Sequence, residues 1–587
     1  MPFTTRPTLR GYGGAVSAGH YLASQAGAQV LAAGGNAADA ACAMGFALQV
    51  LEPHMNGPAG EVPILVYSAE EERYFAISGQ GSAPAAATIE RMQALGVDLI
   101  PMDGFLAATV PAALDAWCQL LERFGTWTLE AVLAPARALA ERGFPMYAPL
   151  RNILRALERR FQEEWPSSAA LYHPVRALGE RQTNPSYARL MQELAQVERA
   201  RSGDRETCIR AARDSFYKGR PAEQIERSLS EKVRDVTGRA HSGLMTAHDL
   251  ASYEGTLEEP VSVSYRGARV WKCPPWSQGP VFLQQLRLLE GFELGAMGYQ
   301  SVDALHTWLE CAKLAFADRE ACYGDPAFTP VPLEELLSKD YAARRRPLVD
   351  SGRASLELRP GIGQLPAGWP LVGAVMSPVE PEAAASALGR NDTTHLDVVD
   401  RAGNLVSATP SGGWIPSSPV IPELGFPVGT RAQMFVLDPA HPNALAPGKR
   451  PRTTLTPSLA RLPDGRHMAF GTPGGDQQDQ WTLQLFLNLV DFGLEDLQEA
   501  IDAPTVHSLH MPSSFFPRIA QPGVAAVESR IPADVIAGLE ALGHRMQDSG
   551  PWSHGRVMAV THDPSRRLFE AAASPRNETA YAIALPY

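Results

Sequence analysis

Thr393-Thr-His-Leu-Asp-Val-Val-Asp400 alternates apolar and polar residues, Arg401-Ala-Gly-Asn404 carries a turn signal, and Leu405-Val-Ser-Ala-Thr409 resumes the extended pattern. Period-two alternation on both sides of a Gly-Asn turn predicts two antiparallel strands joined as a hairpin. Upstream, residues 350–390 are rich in Pro, Gly and Ala with little apolar periodicity, and they read as a flexible surface linker ending beside the hairpin. Taken alone, the Thr393-Thr394 pair needs no more than the β preference of threonine.

Downstream, Met468-Ala-Phe-Gly-Thr-Pro-Gly-Gly475 reads as a strand entering a glycine turn, followed by Trp481-Thr-Leu-Gln-Leu-Phe-Leu-Asn-Leu-Val-Asp491 as an apolar helix. Backbone amides at such a turn can point at an anion. Towards the amino terminus, residues 23–34 and 36–51 form two Ala-rich helical patterns, the first closing on a Gly pair. Pro53-His-Met-Asn-Gly-Pro-Ala-Gly60 is a turn cluster, with His54 read as structural, and Val62-Pro-Ile-Leu-Val-Tyr-Ser68 is a short buried strand. Residues 110–350 are mainly helical by periodicity, as in 128–142 and 301–318, and are expected to form one helical lobe on one side of the molecule.

At 587 residues and 63.3 kDa, the chain exceeds the roughly 250–300 residues at which a single core stops growing, so two closely packed lobes or two domains are expected. Hydrophobic residues at 45%, charged residues at 20% and dispersed Gly and Pro fit a globular α/β protein. A net charge of −12 argues against nucleic acid and anionic membrane as partners. The run Arg344-Arg-Arg346 reads as a solvated face.

The six cysteines lie far apart without a CxxC pair, which indicates neither a metal knuckle nor a disulfide framework and suits a reducing compartment. The amino-terminal segment has no apolar signal region, and no stretch of about 18 apolar residues occurs. A soluble, cytoplasmic protein is therefore expected. His20, His54 and His395 lack the spacing of a metal site, no GxSxG follows a strand, and no cofactor or metal is implied.

Several separated segments together resemble the gamma-glutamyltransferase family: Gly34-Gly-Asn-Ala-Ala-Asp-Ala40 with Glu52-Pro-His54, Ala108-Thr-Val-Pro111, Gly243-Leu-Met-Thr-Ala-His-Asp-Leu-Ala-Ser-Tyr253 and Ala312-Lys-Leu-Ala-Phe-Ala-Asp-Arg319. Thr393-Thr-His395, Asn443-Ala-Leu-Ala-Pro-Gly-Lys-Arg-Pro451, Gly471-Thr-Pro-Gly-Gly475 and Ala573-Ser-Pro-Arg576 continue the series in the same order. The resemblance implies an α+β fold, the four-layer αββα sandwich of the N-terminal nucleophile hydrolases. It also implies a proenzyme that cuts its own Asp392-Thr393 bond into a large subunit, 1–392, and a small one, 393–587, held as a heterodimer, with a dimer of these left open.

In this reading Thr393 becomes nucleophile and amino terminus together. Its free α-amine, with a pKa of about 7.7–8.0, can accept the hydroxyl proton without a separate histidine. The resemblance assigns the oxyanion to the amides of Gly474 and Gly475, and Ser411 to the place of a second threonine whose hydroxyl steadies the nucleophile's amino group, the plain alternative for Ser411 being a turn residue in Thr409-Pro-Ser-Gly-Gly413. Gln80 falls at or beside the family's carboxylate-binding arginine, Met434 where an amine-binding aspartate is usual, and Gly413 in place of an asparagine. Thr453 and Thr454 match a serine pair and still offer the substrate hydroxyls, Arg431 stands where glutamine is frequent and offers the substrate a cation from a new direction, and in Gly475-Asp-Gln-Gln-Asp-Gln480 either Asp476 or Gln477 touches the acyl group or Asp476 is a favourable first-turn acid.

The departures imply an acyl-amide hydrolase or acyltransferase for a small-molecule amide whose acyl group is not an ordinary glutamyl, as in relatives resembling oxamate amidohydrolases and cephalosporin acylases. A true transpeptidase or glutathione hydrolase is the alternative from the same fold, and a non-enzymatic binding relative the alternative from another class.

Overall fold

The computed structural model describes residues 3–365, 371–372 and 393–587. The hairpin forms as expected: Leu396–Asp400 pairs antiparallel with Leu405–Ala408, Leu396 facing Ala408 and Val399 facing Leu405. It lies at the centre of a seven-stranded sheet, flanked by Gly14–Ala18 on one side and Ile64–Ser68 on the other. Tyr581–Ala584 closes one edge, and Arg73–Ile77 then Leu257–Glu258 close the other.

A second seven-stranded sheet runs in the order Leu9–Gly11, Leu568–Ala573, Met558–Asp563, His467–Gly471, Ser458–Arg461, Ala268–Lys272, Val261–Tyr265. Every pairing in both sheets is antiparallel.

Because side chains alternate across a strand, neighbours in sequence enter different cores. Val398 packs with the helices Tyr21–Ala32 and Ala37–Leu51, whereas Val399 packs with Leu459, Ala469 and Val560 between the sheets. In the second sheet Met468 and Phe470 face the helices Pro280–Leu289 and Val302–Cys322, and Ala469 faces inward. The layers are helices, sheet, sheet, helices: the four-layer αββα sandwich.

Local chemistry sets the element ends. Asn36 caps Ala37–Leu51 with a reciprocal Asp39 contact, and Thr128 and Ser301 cap Leu129–Arg142 and Val302–Cys322 through their hydroxyls. Ala37–Leu51 is buried along its whole length, which its many alanines permit by letting neighbours approach closely.

The 110–350 stretch is not one lobe. Helices between Ala113 and Ala251 cover the first sheet, and those from Pro280 to Arg345 cover the second. The break is physical: Leu257–Glu258 joins one sheet while Val261–Tyr265 and Ala268–Lys272 join the other, so the chain crosses the sandwich there. The arginine run is also not simply solvated. Arg346 donates to the carbonyls of Leu288 (3.0 Å) and Arg287 (2.8 Å) at the end of Pro280–Leu289, and Arg345 is buried.

The first part of the expected linker is tied down. Ala354 N–H donates to Leu542 O at 2.7 Å, Lys313 Nζ to Ser355 O at 2.9 Å, and Gly361 N–H to Asp318 at 2.7 Å. Residues 366–370 and 373–392, with Asp392 of the expected cleavage site, lie outside the described residues. No helix among the described residues is long and apolar enough to cross a membrane, and the six cysteines are unpaired.

Candidate active site

Thr393 stands three residues before the central strand and is fully buried. It bridges to Ser411 in antiparallel fashion, and Thr394 N–H donates to Pro410 O at 3.1 Å. This brings Thr393 Oγ1 to 3.2 Å from Ser411 Oγ. Glu61 and Ser411 exchange backbone hydrogen bonds of 2.9 Å each, so the end of the Pro53–Gly60 turn lies against the same segment.

Side chains continue the chain of contacts. Arg431 Nη2 donates to Ser411 Oγ at 2.8 Å, and Arg431 Nε is paired with Glu61 Oε1. Glu61 Oε2 accepts from Gln80 Nε2 at 2.9 Å. Rings cover the guanidinium, Trp414 at 5.1 Å and Phe515 at 5.7 Å from centroid to Cζ, and Met434 Sδ lies 3.9 Å from Nη1. Arg431 is 1% exposed and Glu61 2%. Such burial is tolerable for two charges only when they are paired.

The second sheet delivers the glycine turn. The ring of His395 lies against Gly471 so closely that a Cβ there would sit 2.1 Å from His395 Cε1. Three residues on, Gly474 has φ +123° and Gly475 φ +55°. A Cβ on Gly474 would lie 2.2 Å from Trp481 Cζ3, and one on Gly475 2.9 Å from Phe515 Cε2. Trp481 is itself fixed, its Nε1–H donating to His507 Nδ1 at 3.3 Å and its ring stacked on His554 at 5.9 Å. Phe515 therefore touches both the glycine turn and the face of Arg431.

A model of the gamma-glutamyltranspeptidase family matches residues 23–584. The chain belongs to that family. It is 34% identical over 582 residues to the Acylase ACY 1 proenzyme of Pseudomonas sp. (strain SE83), covering 97% of this chain and 93% of that one. Among solved structures, LmbA2991HD shares 47% identity with a TM-score of 0.92, covering 99% of this chain and 100% of that one. Cephalosporin acylase from Bacillus halodurans shares 29% identity with a TM-score of 0.81, covering 100% of this chain and 98% of that one.

The other residues singled out from the sequence fall into two groups in this gamma-glutamyltranspeptidase-family chain. Thr453 and Thr454 are fully buried. Thr453 Oγ1 accepts from Leu455 N–H at 3.3 Å, and Thr454 Oγ1 has no hydrogen-bond partner among the described residues. Asp476 is bound up internally: Ser514 donates to it from N–H (2.8 Å) and Oγ (2.6 Å), and Arg319 pairs with it. Arg319 also pairs with Glu320, which Arg452 Nη1 reaches at 2.9 Å.

Sequence reasoning did not single out Glu61, Trp414, Phe515 or Trp481. Glu61 left a signal, as the lone acid between Pro53 and Ala69 at the head of an apolar strand. The aromatic residues left none, since Trp414 and Phe515 come from distant loops and Trp481 from the helix Gln478–Val490.

On the other side of the nucleophile segment, the carboxyl of Glu52 and the hydroxyl of Thr394 both face the Cα of Gly19. Burial pushes Glu52 up to about 7 and holds His20 and His54 down at about 3. Away from these residues in sequence, His306, Glu310 and His544 are grouped closely enough to hold a metal ion. In the structure His306 Nδ1 bonds His544 Nε2 at 2.8 Å, and Glu310 pairs with Lys313 at 2.6 Å.

Proposed function

We propose that Thr393 is the nucleophile of a self-processing N-terminal-nucleophile hydrolase of the gamma-glutamyltranspeptidase family, acting on an acyl amide through an acyl-enzyme on its Oγ1. The observation that carries this is the buried Thr393 hydroxyl 3.2 Å from Ser411 Oγ, at the head of the central hairpin, whose His395 packs on Gly471 three residues before two positive-φ glycines.

In self-cleavage, Thr393 Oγ1 attacks the carbonyl carbon of residue 392 while the amide nitrogen takes up a proton and becomes the α-amine. Water then hydrolyses the resulting ester, restoring the hydroxyl and leaving fragments 1–392 and 393–587 as a heterodimer. In turnover the α-amine takes the hydroxyl proton as Oγ1 attacks the substrate amide. The amides of Gly474 and Gly475 bind the oxyanion, the α-ammonium passes its proton to the substrate's amide nitrogen, and the C–N bond breaks to release that amine. Water releases the acid, or an acceptor amine takes the acyl group. The unpartnered Thr454 hydroxyl and its neighbour Thr453 are assigned to the acyl group.

The acyl group is not an ordinary glutamyl in this reading. Met434, in the place of an amine-binding carboxylate, lies beside the guanidinium of Arg431, so a substrate ammonium would meet a thioether and a like charge. Two like charges 4 Å apart repel by about 4 kcal/mol at an effective dielectric of 20, an upper figure because Glu61 offsets part of it. Six unpaired cysteines support a cytoplasmic setting.

The experiment is a hydrolysis panel of a γ-glutamyl anilide beside anilides of short acids that lack an α-amino group. The γ-glutamyl compound should have a kcat/KM at least about 100-fold below the best of the others, a gap of about 2.7 kcal/mol. Turnover of the γ-glutamyl compound as fast as any other would favour the glutathione-hydrolase alternative.

A further inference from the structure

The sequence offers Asp476 as an acyl contact, yet both of its carboxylate oxygens are engaged within the protein. Oδ2 accepts from Ser514 N–H at 2.8 Å, and Oδ1 accepts from Ser514 Oγ at 2.6 Å and from Arg319 Nη1. Arg319, on the helix Val302–Cys322, also donates through Nη1 to Gln278 Oε1 at 2.7 Å. The same Gln278 amide donates through Nε2 to the carbonyl of Gly475 at 3.3 Å. Ser514 Oγ accepts in turn from Arg452 Nη2 at 2.9 Å, and Arg452 and Arg319 both pair with Glu320.

These contacts converge on the glycine turn. Glycine is the least restrained residue of the backbone, whereas an oxyanion donor is effective when its N–H is aimed before the reaction begins. The peptide plane between Gly474 and Gly475 is set by Gln477 N–H, which donates to Gly474 O at 3.1 Å. The N–H of Gly475 points the opposite way from that oxygen, because the peptide is planar and trans. The next plane is held at Gly475 O by Gln278, and its far end by the anchored side chain of Asp476. Through Ser514 the hold extends to Phe515, whose ring edge would lie 2.9 Å from a Cβ on Gly475. Arg319, Arg452, Glu320 and Asp476 are all buried. Burying four charges gains little stability over apolar packing of the same volume, so what the network supplies is a single geometry for the turn.

We infer that Asp476 is a positioning residue for the oxyanion site: with Arg319 and Gln278 it holds the Gly474-Gly475 turn so that its amides stay aimed at the reacting carbonyl. It acts through the turn and does not touch the acyl group. This rests on the reading of the turn as the oxyanion site.

The test uses matured protein, a melting curve for every variant, and kcat and KM for the anilide of the panel that the wild type hydrolyses fastest, measured well below each melting temperature. Asp476→Asn keeps the shape of the side chain and removes the charge that anchors Arg319. Its kcat should fall about 10- to 100-fold with KM within about threefold, because misaimed donors act on the transition state. Gln278→Met leaves all four charges in place and removes the bond to Gly475 O; its kcat should fall about 10-fold. It keeps the test usable if Asp476→Asn does not fold. Combined with Gly474→Ala, either loss should be smaller than the product of the two, since both displace the same amides. A role in stability alone would lower the melting temperature and leave the kcat of folded protein unchanged.

The inference is overturned if folded Asp476→Asn, or folded Gln278→Met, keeps a kcat within about threefold of wild type. A KM raised about tenfold or more at unchanged kcat in Asp476→Asn would make Asp476 an acyl contact and overturn it as well. Gly474→Ala is the control on the underlying reading: an unchanged kcat there means that the oxyanion lies elsewhere. A slowed Gly474→Ala beside wild-type kcat in the other two variants rejects only the positioning role.

Discussion

Gly474→Ala is the substitution whose consequence can be worked most directly from the geometry. An alanine at φ +123° is outside the region open to L-residues, and its Cβ would lie 2.2 Å from Trp481 Cζ3. Normal carbon contacts need about 3.5 Å or more, so something must move by more than 1 Å. The ring is a poor candidate, being stacked on His554 and bonded to His507. The main chain of the glycine turn gives way instead.

Backbone strain of this kind costs about 1–3 kcal/mol, and a displaced oxyanion donor typically costs about 10²–10³ in kcat. The assay is steady-state hydrolysis of the best panel substrate by matured protein. The expected result is a kcat lower by about two to three orders of magnitude with KM changed little, because the donors act on the transition state rather than on bound substrate. A kcat within about threefold of wild type in a folded variant would refute the placing of the oxyanion at this turn.

Other substitutions follow from the same contacts. Glu52 is raised by burial from 4.5 to about 7, so its neutral form favours folding. That contribution is complete below pH 4.5 and is lost as pH rises through about 7. The gap is worth about 3 kcal/mol at 1.36 kcal/mol per pH unit, and Glu52→Gln should abolish this part of the pH dependence of urea unfolding between pH 4.5 and 8. The ion pair of Lys272 with Asp479, 2.8 Å long and wholly buried, predicts that Lys272→Met destabilises the protein by about 3–5 kcal/mol, read from denaturant melts. Adding Asp479→Leu should recover much of that loss. Thr454→Val removes a buried hydroxyl that has no partner among the described residues, so the variant should be more stable by about 1 kcal/mol. Its KM for the panel substrate should rise if the hydroxyl meets the acyl group.

The central sheet was legible because its signal is local. The alternation of Leu396, Val398 and Val399 about the Ala402-Gly403 turn encodes both the hairpin and the two cores on its faces. Helix starts were legible where a side chain caps them, as at Asn36, Thr128 and Ser301.

The crossing between sheets at residues 257–272 was not legible, since two short strands amid helices carry too little periodicity to outweigh their surroundings. The site divides in the same way. Thr393, Ser411 and the Gly474-Gly475 turn stand out as motifs, and Arg431 and Gln80 as departures from one. Their meaning depends on Glu61, Trp414 and Phe515, which meet only in three dimensions across more than 400 residues of chain. Asp476 illustrates the converse, because a polar residue beside a catalytic motif is here consumed by Arg319 and Ser514.

The most direct test of the account is the intact mass and amino-terminal sequence of the purified wild type beside Thr393→Ala. Two wild-type fragments, one beginning at Thr393, and a single uncut chain for the variant are the expected result. An uncut wild type under all conditions, or a variant cut at the same bond, would contradict it.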